Sequence, residues 1–208
     1  TFLVLKVHKN FYPDLFSWEE FENLINIRPL MNYERVHFPG KDDYEWDESY
    51  WALDNNCFPA HIIKDALYKG VCNFCDMSRA SSKINGLCEA MEKKVNRPVD
   101  AHIYASKNIT EEHPFGAHWD DSATIIVQCE GITNFKVWYP MELYPGDHLE
   151  ITRDPIIDCD LHPGDAVFVP TFYPHLATSI THRLSVSFTY MLQDSEDQKF
   201  GDREWVKL

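Results

Sequence analysis

Apolar and polar residues alternate along this chain in two different rhythms. Near the start, residues 2–8 form a short apolar run that reads as an opening strand. Ser17 followed by Glu20 then fits a capping box, and Trp18, Phe21, Leu24 and Ile25 recur at helical spacing until Pro29 stops the helix. Residues 40–56 are acidic, aromatic and without period, and read as a long surface loop or lid. Pro59, with Ile62, Ile63, Ala66 and Leu67 behind it, predicts a second helix ending at Gly70. Residues 79–95 predict a third, with Ile84, Leu87, Cys88 and Met91 as its stripe and Asn96-Arg97-Pro98 as its stop.

The rhythm changes at Val99. From there to Tyr190 the pattern is a series of short β-type runs, at about 99–105, 123–129, 134–139, 148–152, 156–160, 166–170, 176–180 and 183–190. Turn signals separate them at Glu130-Gly131, Tyr144 to Asp147 and His162 to Asp165. Many short strands with regular turns predict an antiparallel sandwich or barrel. The chain therefore reads as one domain over 1–208. It has a helical lead-in and lid over 1–98, a β-barrel core over 99–190 and a peripheral tail over 191–208.

Composition narrows the function. A net charge of −14 argues against phosphate-backbone binding, which needs Lys and Arg, so nucleic acid is disfavoured as a partner. No stretch has the length of an apolar membrane span, and no signal-peptide pattern opens the chain at Thr1. Six Cys in 208 residues are too sparse for a secreted disulfide scaffold, which points to a reducing, cytoplasmic compartment. Cys72-Asn73-Phe74-Cys75 is a single CxxC pair, whereas a four-cysteine zinc site needs two, so these read as buried free thiols. No oligomeric state is legible.

The chemistry concentrates in Gly116-Ala-His118-Trp119-Asp120-Asp121. In extended backbone, residues two apart project to the same side, so His118 and Asp120 offer an imidazole and a carboxylate together. His175, which follows the apolar run Ala166 to Pro170 and the turn at Gly164, is the candidate third ligand. Two imidazoles and one carboxylate leave three positions of an octahedral ion open, the arrangement of non-haem Fe(II) oxygenases. His182, His113 and His148 fall outside this set, and Trp46, Tyr50 and Trp51 either form a simple aromatic plug, the favoured reading, or cover the barrel mouth and contact substrate.

The segments 116–138, 161–175 and 183–188 together resemble the JmjC and cupin-like oxygenases, most of all the ribosomal-oxygenase branch. The resemblance implies a mainly β fold with N-terminal helices, a double-stranded β-helix of jelly-roll type. It implies Fe(II), 2-oxoglutarate as cosubstrate, and O₂. It also implies coupling of cosubstrate decarboxylation to hydroxylation, or to demethylation through hydroxylation, often of protein side chains. A small-molecule substrate stays open, and the alternative is a non-catalytic cupin-like binding protein.

The likeness has one departure. The family usually places a Lys or Arg two residues after the glycine corresponding to Gly131, to hold the distal carboxylate of 2-oxoglutarate. Here that cosubstrate position is Thr133, and Lys136 has the opposite strand parity. Arg183, in an Arg-x-Ser pair with Ser185, is the expected replacement, because related oxygenases use such a pair on this strand and a guanidinium can hold a carboxylate bidentately. Tyr104 and Thr124 are further expected cosubstrate contacts, again from the resemblance.

Overall fold

The computed structural model describes residues 6–27, 31–32, 35–38, 57–109, 116–140 and 153–190. The expected lid, the run at 148–152, His113, His148 and the tail lie outside these residues.

Eight strands are present among them: β1 (Lys6–His8), β2 (Val36–His37), β3 (Cys72–Phe74), β4 (Asp100–Ser106), β5 (Ala123–Val137), β6 (Ile157–Leu161), β7 (Ala166–Val169) and β8 (His175–Tyr190). They form one antiparallel sheet in the order β1-β7-β5-β8-β4-β3-β2, with β6 paired to β5. Three helices precede the long strands: α1 (Trp18–Leu24), α2 (Ala60–Leu67) and α3 (Ser82–Val95). The expectation of a mainly β protein with N-terminal helices is borne out.

The sequence pattern and the structure differ at Glu130-Gly131. The predicted strands 123–129 and 134–139, with a turn expected between them, are one long strand, and so are 176–180 and 183–190. β5 runs through 123–137 and β8 through 175–190, paired along most of their length. The register shifts between Gln128 and Glu130 and again between Gly131 and Thr133, so the turn signal marks a bulge. Gly131 sits at φ +76°, and a Cβ there would lie 1.7 Å from the His182 carbonyl oxygen, so only glycine permits the close approach. The bulge redirects β5. Its first half pairs with β7 and its second half with β6, which curls the sheet around an interior.

Alternation along β4 and β8 divides two environments. Ala101, Ile103 and Ala105 of β4, with Leu184, Val186 and Phe188 of β8, belong to the core formed with the helices, beside Phe21, Ile63 and Ile84. Their neighbours of opposite parity (His102, Tyr104, Arg183, Ser187 and Thr189) face the interior. Residues Ile126, Phe135, Val137, Leu161, Val167 and Val169 form a smaller second core inside the curl.

Helix α1 has the expected capping box. Glu20 N donates to Ser17 Oγ at 3.2 Å, and Ser17 N donates to Glu20 Oε2 at 2.8 Å. The helix ends at Leu24, short of Pro29, because the chain tightens there into three-residue turns, with Ile27 N donating to the Leu24 carbonyl at 2.9 Å. α2 begins after Pro59, and α3 ends at Asn96 in the left-handed region, φ 55°. No helix among the described residues is long and apolar enough to cross a membrane.

Candidate metal centre and cosubstrate pocket

His118, Asp120 and His175 converge, as the sequence pattern predicted. One ligand atom from each lies within 4.8 Å of the others. The backbone brings this about. His118 and His175 form an isolated antiparallel bridge, each N–H donating to the other's carbonyl, at 3.1 and 2.8 Å. Phe172 N donates to the Asp120 carbonyl at 2.8 Å, a second tie between the same two segments. Asp120 Oδ2 lies 3.6 Å from His175 Nε2, and the two imidazole centroids are 4.4 Å apart.

Both imidazoles are oriented for ligation. His118 Nδ1 lies 3.2 Å from the Gly116 carbonyl, and His175 Nδ1 lies 3.1 Å from the Tyr173 carbonyl. A carbonyl only accepts, so each Nδ1 carries the proton and each Nε2 keeps its lone pair for an ion. His175 is buried and stacks on Phe135 with ring planes 11° apart. Burial, followed by the charge of His118, pushes its pKa down to about 4, so the ring is neutral at physiological pH. A donor set of two imidazoles and one carboxylate fits a divalent first-row ion.

These three residues line a cavity of about 280 Å³. Arg183 forms part of its wall. The guanidinium is buried, its Nε donates to Ser185 Oγ at 3.0 Å, and it lies 5.1 Å from the Tyr104 ring centroid. Burial lowers its pKa to about 10, with Tyr104 opposing, so it stays charged. Among the described residues no carboxylate pairs with it. The Tyr104 phenol is pushed up by burial and then by the Asp120 charge, and stays neutral. Thr124 also lines the cavity, hydrogen-bonded to Ser187.

Two expected contacts are placed elsewhere. Ser185 is fully buried and holds the Arg183 side chain but does not line the cavity. Thr133 is also buried off the cavity, opposite Ser179, and its hydroxyl has no hydrogen-bond partner among the described residues. Lys136 points outward, 3.7 Å from Asp158, as its parity predicted. His182 is exposed beside Trp18.

The sequence reading missed Ser187, His102 and Asn73, which line the cavity. Asn73 lies on β3, inside the CxxC pair read only as thiols, and its Oδ1 is buried without a partner among the described residues. The alternation Cys72, Asn73, Phe74, buried on either side of the polar residue, was the available signal. Cys72 and Cys75 are free thiols, and Cys72 is buried, its thiol pushed up to about 12.

A family model described as the JmjC domain matches residues 74–199, more than half of the chain. The chain belongs to the JmjC-domain family. Among curated relatives, the bifunctional lysine-specific demethylase and histidyl-hydroxylase NO66 of Drosophila persimilis is 27% identical over 125 residues, covering 58% of this chain and 18% of that protein. NO66 of Caenorhabditis briggsae is 24% identical over 203 residues, covering 84% of this chain and 24% of the relative. The chain thus spans a quarter or less of the length of these relatives. Among solved structures, the Escherichia coli ribosomal oxygenase YcfD in complex with cobalt and 2-oxoglutarate superposes with a TM-score of 0.59. Identity is 19%, over 93% of this chain and 49% of that one. A further YcfD structure gives a TM-score of 0.61 at 18% identity. These likenesses bear out the expected JmjC and cupin-like barrel.

Proposed function

We propose that this JmjC domain is an Fe(II)- and 2-oxoglutarate-dependent oxygenase that hydroxylates a C–H bond of a protein side chain. The observation that carries the reading is the pairing of an oxygenase-type ligand set with a buried, charged guanidinium that lacks a carboxylate partner among the described residues. A buried charge is costly unless paired. 2-Oxoglutarate is a dicarboxylate, so one end can chelate an ion at His118, Asp120 and His175 while the other meets Arg183. NO66, with lysine demethylation and histidyl hydroxylation in its name, and YcfD, solved with 2-oxoglutarate and cobalt, lend support.

Bound iron supplies the activation of O₂. The net reaction turns 2-oxoglutarate, O₂ and substrate R–H into succinate, CO₂ and R–OH. The protein's residues bind and orient. Tyr104 and Ser185 hold the Arg183 fork on two sides, and Thr124 with Ser187 supplies hydroxyls on the cavity wall. Phe135 and Ile126 exclude water from one side. Asn73 Oδ1 is an acceptor waiting for a donor, which 2-oxoglutarate does not have. A substrate side chain bearing N–H suits it. Thr133 favours the alternative of a non-catalytic binding barrel, since the usual cation is missing there; Arg183 supplies the same charge from β8.

The test is turnover of 2-oxoglutarate to succinate with Fe(II) and O₂ but no substrate, in the parent and in His175→Ala. The parent should release succinate and bind 2-oxoglutarate by calorimetry, and His175→Ala should do neither. No succinate and no binding by the parent would sink the reading.

A further inference from the structure

The two ligand-bearing segments meet at an unusual backbone position. Four non-glycine residues among those described have positive φ: Asn10, Asp76, Asn96 and Phe172. The first three are residue types that tolerate the left-handed region through their short polar side chains. Phe172, at φ 65°, is not. Such a conformation persists only where its surroundings over-determine it.

Phe172 N donates to the carbonyl of Asp120 at 2.8 Å, and its ring packs against Trp119 with centroids 5.1 Å apart. Trp119 stands between His118 and Asp120 in the chain, and Phe172 lies three residues before His175. The left-handed turn at Phe172 therefore directs its N–H at one segment and its ring at the same segment's indole. The His118–His175 bridge and the Phe172 N–H to Asp120 carbonyl bond tie the two backbones. The Phe172–Trp119 ring contact adds a side-chain brace, which would hold the angle at which the Asp120 carboxylate stands against the two imidazoles.

The geometry points to Phe172 and Trp119 as positioning residues, a strained clasp that sets the ligand angle of the metal centre from outside the coordination sphere. The inference rests on the proposal that His118, Asp120 and His175 hold an ion. Neither aromatic residue touches substrate or cosubstrate in this role.

The test uses Co(II) alone as probe on the full chain, followed by calorimetry and by the visible ligand-field band at saturation. Trp119→Ala, Phe172→Gly and the double variant are compared with the parent and with Trp119→Phe. Glycine keeps the left-handed backbone without strain, so Phe172→Gly removes the ring while preserving the fold. Each ring deletion should weaken Co(II) binding about 10- to 100-fold, the range for partners that orient ligands. Each should also move the visible band, which loss of global stability alone would not do. Trp119→Phe should restore both, and the double variant should be no weaker than the worse single one, because the two rings act as a unit. Parental affinity with an unchanged band in both single variants would overturn the clasp, as would losses that simply add in the double variant. If the parent itself fails to bind Co(II), the metal reading fails first and the clasp falls with it.

Discussion

Replacing Arg183 by Met separates a structural arginine from one that awaits a ligand. The guanidinium is buried, and its pKa falls from 12.5 to about 10. At about 1.4 kcal/mol per unit, keeping it charged costs the folded state roughly 3 kcal/mol at neutral pH. The sign follows from proton counting: above pH 10 the folded chain binds fewer protons than the unfolded one, so that cost is relieved only at extreme alkalinity. Against it stand the hydrogen bond to Ser185 and the contact with Tyr104, together about 2–3 kcal/mol, including the stranding of the buried Ser185 hydroxyl. Arg183→Met, similar in volume, should therefore change the stability of the ligand-free protein by no more than about 1 kcal/mol. A buried arginine paired to a carboxylate would instead cost about 3–5 kcal/mol on removal. Affinity should respond in the opposite way. Deleting one partner of a desolvated charge pair costs about 2–5 kcal/mol of binding, a loss of roughly 30- to 4,000-fold for 2-oxoglutarate. Urea denaturation and calorimetry read the two quantities. A drop of more than about 3 kcal/mol in stability with unchanged 2-oxoglutarate affinity would refute the reasoning.

Gly131→Ala should destabilise the fold by roughly 2–4 kcal/mol, read from the urea midpoint, because it combines a positive φ with a Cβ on the His182 carbonyl. An unchanged midpoint would mean that the bulge can relax. Asp165, almost buried, is opposed by desolvation, yet the Lys9 ammonium at 2.6 Å and the N–H groups of His162 and Asn10 bring its pKa below the usual value of 3.8. Its contribution is fully present above pH 3.8 and is lost as pH falls through the lower folded value. Asp165→Asn should flatten the fall in urea midpoint below about pH 4, and an unaltered acid limb would contradict the assignment.

Local pattern carried much of this protein. The capping box at Ser17 and Glu20, the stripe of α3 and the HxD pair depend on neighbours in sequence, and each is found as expected. Strand parity also sufficed to turn Lys136 outward, while Arg183, expected at the cosubstrate from the family resemblance, lines the cavity. Strand continuity did not follow from local pattern. Glu130-Gly131 has the composition of a turn, and only the cross-strand approach to His182 shows that it is a bulge within a bent strand. β3 was also hidden, since three residues within a CxxC motif carry too little period to stand out, and it exists because β4 and β2 pair with it.

For the site, the sequence determined which side chains were available, because the ligand set and the substitution of Thr133 are matters of residue type and spacing. The tertiary structure decided what surrounds them. The burial of Arg183 without a carboxylate partner among the described residues, the diversion of Ser185 and Thr133 away from the cavity, and the tie between Phe172 and Trp119 all depend on contacts between residues far apart in the chain. Such contacts leave no periodic trace, since closing a long loop constrains where two segments meet without dictating the residues in between.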